Sequence, residues 1–118
     1  MAKRPGQSVR GSTSGRPIMV LLDVLGQRWT LRLIWELNLS APVTFRELRS
    51  RCEDVSPTLL NSRLKELREL QLVELGDGGY SLTAHGKSLS ARLAPLDAWA
   101  QDWAGTMTTA QEGKAKRS

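Results

Sequence analysis

The segment Thr44–Leu67, TFRELRSRCEDVSPTLLNSRLKEL, contains two short amphipathic helices joined by a turn. Thr44 followed three residues later by Glu47 is a capping box, in which side chains satisfy the unpaired N–H groups at a helix start. The first helix then buries Phe45 and Leu48 and turns its arginines outward.

The second helix of this segment begins at Ser56 and Pro57. Serine is a favourable N-cap, and proline suits the first helical position because its missing N–H is not needed there. Leucines recur on one face of this helix, and small polar residues with Lys65 occupy the other. Two such helices joined by a short turn predict a helix-turn-helix over residues 44–71.

Directly after this motif, residues 72–83 read LVELGDGGYSLT, two strand-like runs around an Asp-Gly-Gly turn. This pattern predicts a β-hairpin, which after a helix-turn-helix is the wing of a winged helix. Glu74 and Asp77 make the short tip acidic, so we expect it to repel phosphate.

The helices that precede the motif are strongly apolar. Residues 17–26, PIMVLLDVLG, are apolar on nearly every face and end at Gly26, a favourable C-cap. A short helix of this kind must be buried, which in so small a protein suggests a second chain.

The stretch GQRWTLRLIWEL, residues 26–37, predicts a second helix that carries both Trp29 and Trp35. Its apolar side chains cover a broad arc and leave mainly Arg32 and Glu36 for solvent. Such breadth predicts packing against several helices at once.

The last predicted helix, residues 84–107, is capped by Thr83 and carries a short heptad seam, typical of helix pairs. Proline removes one helical hydrogen bond, so Pro95 predicts a kink or a break near Ala94. The seam consists of Leu89, Leu93, Leu96, Ala100, Trp103 and Met107.

The chain has 118 residues and a net charge of +5, which is concentrated at its two ends. Residues 1–16 contain arginine, glycine and serine without an acidic residue, and we expect a disordered basic arm. Residues 108–118 form a basic tail, whereas residues 17–105 are nearly neutral and long enough for one domain. Bulk charge alone therefore does not establish nucleic-acid binding.

Composition also argues against several other classes of protein. No apolar run is long enough to span a membrane and no signal peptide is recognisable, so we predict a cytoplasmic protein without a membrane partner. Cys52 and His85 are the single residues of their types, so neither a metal site nor a Cys-His or Ser-His-Asp constellation is expected. We predict no enzyme activity, no metal and no cofactor. Cys52 is expected to be a small buried hydrophobe and His85 to lie in an exposed first turn.

Taken together, these segments resemble the HxlR family of winged helix-turn-helix transcriptional regulators, which are related to MarR-type regulators. The likeness covers residues 17–105. It rests on the Gly-x-basic-Trp of Gly26, Arg28 and Trp29, the Phe-x-x-Leu of Phe45 and Leu48, the Ser-Pro-x-x-Leu from Ser56 to Leu60, and Tyr80-Ser81-Leu82-Thr83. It implies a mainly α (α+β) fold, a winged helix-turn-helix with a short two-stranded wing and long N- and C-terminal dimerisation helices.

The resemblance also implies a homodimer that binds double-stranded DNA at a palindromic operator, with a recognition helix in each major groove. The first and last helices would form the dimer interface, in agreement with their apolar character. The predicted interface residues are Ile18, Leu21, Leu22, Leu25, Leu89, Leu93, Leu96, Trp99 and Trp103.

The chain departs from the family pattern in two places. Members often carry a cysteine just before the first helix, which some use for redox or electrophile sensing, whereas Arg16-Pro17 stands here. The family's wing is usually longer, with a proline-rich tip and basic residues, whereas residues 76–79 form a short acidic one.

The exposed face of the second motif helix is the predicted DNA contact, because its polar side chains and cations can reach phosphates and base edges. The alternative is an ordinary solvated helix face, and neighbouring arginines could equally form surface ion pairs. The candidate contacts are Arg28, Arg46, Arg49, Ser56, Pro57, Thr58, Asn61, Ser62, Arg63 and Lys65.

Tryptophans at helical spacing are usually core or interface residues. In some MarR relatives such residues line a small-molecule effector pocket, and the candidates here are Trp29, Trp35, Trp99 and Trp103.

The leading hypothesis is a bacterial, sequence-specific DNA-binding transcriptional regulator. The alternatives are a winged-helix protein-interaction module and a non-specific architectural DNA-binding module. A preference for one promoter over bulk DNA separates the first from both others.

Overall fold

The computed structural model describes the backbone of residues 15–117 and the side chains of residues 15–108, so the predicted basic arm lies almost wholly outside it. The predicted mainly α winged helix-turn-helix is confirmed. The chain divides into two compact units, and the boundary falls between Lys87 and Ser88. In chain order the elements are α1 (Pro17–Leu25), α2 (Thr30–Leu39), α3 (Phe45–Arg51), α4 (Pro57–Glu69), β1 (Val73–Gly76), β2 (Gly79–Leu82) and α5 (Ala84–Arg117).

The core of the first unit is built from leucines of α2, α3 and α4. Leu33, Leu48, Leu60 and Leu64 are at most 1% exposed. Burial of a leucine side chain contributes roughly 2 kcal/mol, so this cluster supplies much of the stability of a small domain. The leucine stripe predicted for α4 is therefore its buried face.

The motif helices begin at the predicted caps. Thr44 accepts a hydrogen bond from the backbone N–H of Glu47 at 3.1 Å, and Ser56 accepts one from that of Leu59 at 3.3 Å. The Glu47 carboxylate pairs with Arg51 at 3.1 Å. Local side-chain chemistry thus decides where both helices start.

The turn between α3 and α4 is held closed by Arg49. Its carbonyl accepts from the backbone N–H of Asp54 at 2.9 Å, and its Nε donates to the carbonyl of Val55 at 2.8 Å. Glu53 and Asp54 both adopt the left-handed conformation, with φ of 57° and 55°. Arg49 therefore stabilises a turn that two non-glycine residues would otherwise disfavour.

The interpretation of residues 26–37 as one helix carrying both tryptophans is wrong. Trp29 precedes α2 as its N-cap residue with φ of 75°, so the chain bends before the helix begins. Glu36 is 9% exposed, whereas Leu31 and Trp35 are each 49% exposed, which reverses part of the predicted solvent face. The reason is an ion pair on α2 that also contacts α3.

Arg32 explains why Glu36 lies inward. Its Nε contacts the Glu36 carboxylate at 3.4 Å and its Nη2 donates to the carbonyl of Arg51 at 2.9 Å. This polar pair therefore lies on a side of α2 that contacts α3.

The first helix is nine residues long and is only partly covered within the chain. Val20, Val24 and Leu25 are buried, whereas Ile18 and Leu22 are 56% and 53% exposed. The helix ends at Gly26, as predicted, although Gly26 has right-handed backbone angles.

The wing is an antiparallel hairpin in which Val73 pairs with Leu82 and Gly76 with Gly79. Sequence reasoning missed that Val43 adds an isolated bridge to Tyr80, with hydrogen bonds of 2.9 and 2.7 Å in the two directions. A side chain at Gly79, whose φ is +128°, would collide with the Val43 carbonyl. The wing is therefore fastened to the loop that precedes α3.

The last helix begins at its predicted cap, since Thr83 accepts from the backbone N–H of Gly86 at 3.1 Å. A side chain at Gly86 would overlap the carbonyl of Leu72, so glycine permits this close approach. The helix runs unbroken from Ala84 to Arg117, so a break near Ala94 is wrong, whereas a kink there stays a prediction. Pro95 removes a single backbone hydrogen bond, and the helix on both sides keeps the others.

Across the residues that the structure describes, no helix combines the length and the apolar character needed to cross a bilayer.

A pair of backbone hydrogen bonds ends α4 in a Schellman motif. The N–H of Leu72 donates to the carbonyl of Leu67 at 2.9 Å, and the N–H of Gln71 donates to that of Arg68 at 3.0 Å. Gln71 occupies the position that usually holds glycine, and its φ is 61°. Its side chain is exposed.

We therefore expect Gln71→Gly to raise the free energy of unfolding by about 1 kcal/mol, because glycine adopts the left-handed conformation without steric cost. Urea unfolding followed by circular dichroism measures this change. Gln71→Ala is the matched control and should bring no such gain, since alanine retains the Cβ. Equal stabilisation by both variants would contradict the explanation.

Candidate nucleic-acid interface

One exposed face of α4 carries most of the predicted DNA contacts. Because Leu60, Leu64 and Leu67 are buried, the positions opposite them face solvent. Residues 58, 61, 62 and 65 recur at helical spacing, and the N-terminal residues precede them. The exposed residues of this face are Ser56, Pro57, Thr58, Asn61, Ser62 and Lys65.

The start of α4 is suited to an anion. Pro57 has no N–H and the N–H groups of Leu59 and Leu60 donate to Ser56, so what favours an anion there is the partial positive charge of the helix dipole. The Ser56 oxygen already accepts from Leu59, which leaves the hydroxyl hydrogen able to donate. Asn61 and Lys65 lie farther along and add an amide and a cation, the groups that read base edges.

The predicted arginines fall into two groups. Arg28 and Arg46 are exposed, and the Arg28 guanidinium lies 5.7 Å from the centre of the Trp29 ring. Arg49 and Arg63 are half-buried, and each donates from Nε to a backbone carbonyl. Arg49 binds the carbonyl of Val55 at 2.8 Å, and Arg63 binds the carbonyl of Arg28 at 2.9 Å. The structure thus gives the second pair an intramolecular role, which sequence spacing does not reveal.

The wing tip is acidic and exposed. Glu74 and Asp77 both face solvent beside Leu75, which is 47% exposed. No cation is present in the turn itself, residues 76–79. The expectation that this wing repels phosphate stays a prediction.

The predicted interface residues differ in exposure. Leu25 is buried within the first unit and Leu21 is half-buried, whereas Ile18 and Leu22 are exposed. On α5, Leu89 and Leu93 are half-buried, and the larger side chains further along are mostly exposed.

The tryptophans do not share one environment. Trp29 is half-buried and Trp35 half-exposed in the first unit. Trp99 and Trp103 stack on each other along α5, with ring centres 5.8 Å apart and an interplanar angle of 13°. An effector pocket lined by all four stays a prediction.

The single cysteine and histidine lie where the sequence predicts. Cys52 is fully buried, and this burial raises the pKa of its thiol, an effect that the nearby Arg32 charge partly opposes. His85 is exposed in the first turn of α5. A buried thiol with a raised pKa is a packing group rather than a reactive one.

The fold is that of a winged helix-turn-helix protein, an architecture typical of DNA-binding proteins. The family model described as HxlR-like helix-turn-helix matches residues 24–108, and the chain belongs to this family of transcriptional regulators. Its relatives are regulators as well.

The chain is 30% identical over 100 residues to the HTH-type transcriptional regulator YodB of Bacillus subtilis (strain 168), covering 79% of this chain and 88% of that protein. It is 24% identical over 90 residues to the uncharacterized HTH-type transcriptional regulator YdzF of the same organism, covering 70% and 83%.

Two solved structures are similar to the fold. The quinone-bound crystal structure of YodB from B. subtilis matches with a TM-score of 0.67 at 32% identity, covering 72% of this chain and 96% of that one. A possible HxlR family transcriptional factor from Thermoplasma volcanium GSS1 matches with a TM-score of 0.62 at 30% identity, covering 69% and 78%.

The raised pKa of Cys52 predicts a loss of stability at alkaline pH. The unfolded thiol ionises near its ordinary pKa of about 8.5, whereas the folded thiol stays protonated, so ionisation favours unfolding. Stability is fully retained below that pH and falls until the pH passes the folded pKa, with a limiting slope of about 1.4 kcal/mol per pH unit.

Urea unfolding between pH 7 and pH 10 tests this prediction. Cys52→Ala should lower stability at every pH through lost packing, and its profile above pH 8.5 should be flatter than that of the native chain. Parallel profiles for the two proteins would show that Cys52 does not contribute.

Proposed function

We propose that this chain acts as a homodimer and regulates transcription by binding a palindromic operator sequence-specifically. In this proposal each α4 enters a major groove, and the two half-sites lie about one DNA turn, roughly 34 Å, apart. The observation that carries the proposal is the exposed polar face of α4, held outward by three buried leucines.

The chemistry of that face suits base reading as well as phosphate binding. An asparagine side chain can make two hydrogen bonds to adenine, and a lysine can bind guanine edges or phosphates. Asn61 and Lys65 are four residues apart on one exposed side of α4 and can reach the same groove.

Exposed apolar side chains on α5 support the homodimer. Leu96, Trp99, Trp103 and Met107 are between 47% and 61% exposed, and a soluble helix rarely leaves such a row in water. Their heptad-like spacing is typical of a helix that packs against a second helix. A second copy of the chain is the proposed occupant of this face.

A small-molecule effector belongs to the same proposal. It is supported by the quinone bound in one of the YodB structures.

Asn61→Ala combined with Lys65→Ala should weaken operator binding by about 30-fold or more, since each good base contact is worth roughly 1–3 kcal/mol. The probe is the tightest genomic fragment selected by the purified native protein at physiological salt. Gel retardation gives the affinity, and sedimentation shows that the variant keeps its association state.

Asn38→Ala combined with Arg68→Ala is the matched control, because it removes an amide and a cation from other exposed positions. It should bind within about threefold of the native chain. Native operator affinity in the Asn61→Ala and Lys65→Ala double variant would contradict the assignment of the α4 face as the DNA contact. Equal affinity of the native chain for all DNA fragments would favour an architectural role. A lack of affinity for any DNA fragment would favour a protein-interaction module.

Trp103→Asp should convert the dimer to a monomer, because it places a charge in the proposed apolar interface. Sedimentation velocity measures the association state. Leu75→Asp is the control, since Leu75 is similarly exposed at 47% but lies on the wing. A Trp103→Asp variant that remains dimeric would exclude this face as the interface.

A further inference from the structure

Two side-chain contacts attach the turn between α1 and α2 to the middle of α4. Arg63 donates from Nε to the backbone carbonyl of Arg28 at 2.9 Å, and Gln27 donates from Nε2 to the Glu66 carboxylate at 3.4 Å. Arg63 and Glu66 are three residues apart and therefore share one side of α4. We call Gln27, Arg28, Arg63 and Glu66 the α4 clamp.

The turn that supplies this clamp is energetically costly. Trp29 has φ of 75°, in the left-handed region where a bulky residue is a rare outlier. Within the described residues, four buried side-chain atoms lack a hydrogen-bond partner: two belong to this turn, one to the first residue of α2 and one to the residue that the turn touches on α4. They are Gln27 Oε1, Trp29 Nε1, Thr30 Oγ1 and Glu66 Oε1.

Such costs persist only where the surrounding structure holds the backbone in place, and they concentrate at functional elements. Thr30 is fully buried, so its unpaired hydroxyl is enclosed by protein rather than by solvent.

The clamp lies beside the exposed side of α4 that carries the residues proposed to read DNA. Asn61 and Lys65 are exposed, whereas Arg63 is half-buried with its Nε committed to Arg28. A rotation of α4 about its axis would break the clamp and swing Asn61 and Lys65 sideways together. Recognition tolerates deviations of only about 0.5 Å or 10–20°, so a rotation of this kind would impair specific binding.

We propose that the α4 clamp positions the recognition helix, and that Arg63 acts on operator affinity through Arg28 rather than by contact with DNA. Arg63, Glu66 and Gln27 are then positioning residues that determine specificity. This inference rests on the proposed function, because it presupposes that the exposed face of α4 reads the operator.

Two substitutions at Arg63 separate positioning from phosphate contact. In Arg63→Gln the side-chain amide nitrogen follows Cδ, the same place as Nε of arginine, so the hydrogen bond to Arg28 is retained while the charge is lost. In Arg63→Met both the charge and the donor are lost at similar length. Affinities for the selected operator fragment and for a scrambled duplex are measured across a salt series.

We expect Arg63→Met to weaken operator binding at least tenfold and to change scrambled-duplex binding less than twofold. Arg63→Gln should stay within threefold of the native affinity. Both should keep the native slope of log K against log salt, because neither removes a phosphate contact. Lys65→Gln, which removes a cation from the exposed face, is the matched control: it lowers that slope by about 1 if Lys65 binds a phosphate and leaves it unchanged if Lys65 binds only a base edge.

Gln27→Leu tests the clamp from outside the helix-turn-helix. It changes no charge and should reproduce the selective loss of operator affinity seen with Arg63→Met. Thermal melting verifies that each variant is folded. If Arg63→Met does not fold, the operator affinity of Gln27→Leu tests the clamp in its place.

Equal losses for Arg63→Gln and Arg63→Met, with a slope lowered by about 1, would make Arg63 a phosphate contact and overturn the proposal. Native operator affinity in Arg63→Met, or in Gln27→Leu, would overturn it as well. Failure of the underlying function looks different, since the Asn61 and Lys65 double variant would then bind the operator normally.

Discussion

The burial of one leucine face of α4 is the constraint on which the rest of the molecule depends. Leu60, Leu64 and Leu67 are almost completely removed from water, and no other orientation of α4 buries all three. The positions opposite are exposed as a direct consequence, and they include Asn61 and Lys65. The candidate DNA surface is therefore produced by the packing of the core.

Three further groups of hydrogen bonds fix α4 along its length. Ser56 caps its start, and the Schellman motif around Gln71 ends it. The α4 clamp holds its middle through Arg63 and Glu66. The proposed recognition helix needs this rigidity, because a helix free to slide or rotate would present its side chains to DNA in many registers and lose specificity.

Local signals in the sequence were reliable where a side chain acts on its own backbone. Thr44, Ser56 and Thr83 all cap helices as predicted. The predictions failed where residues far apart in the sequence come into contact. Glu36 lies inward because Arg32 pairs with it beside α3, and Val43 joins the wing through residues far along the chain.

The sequence by itself determined the order of the elements and the two faces of α4, since caps, periodicity and turn residues act over a few positions. Only the tertiary structure decided which polar groups remain available to a partner. Arg49 and Arg63 look like Lys65 in the sequence, yet both bind carbonyls in the same chain. The reason is physical: a long side chain finds its partner in space, and folding brings that carbonyl within reach.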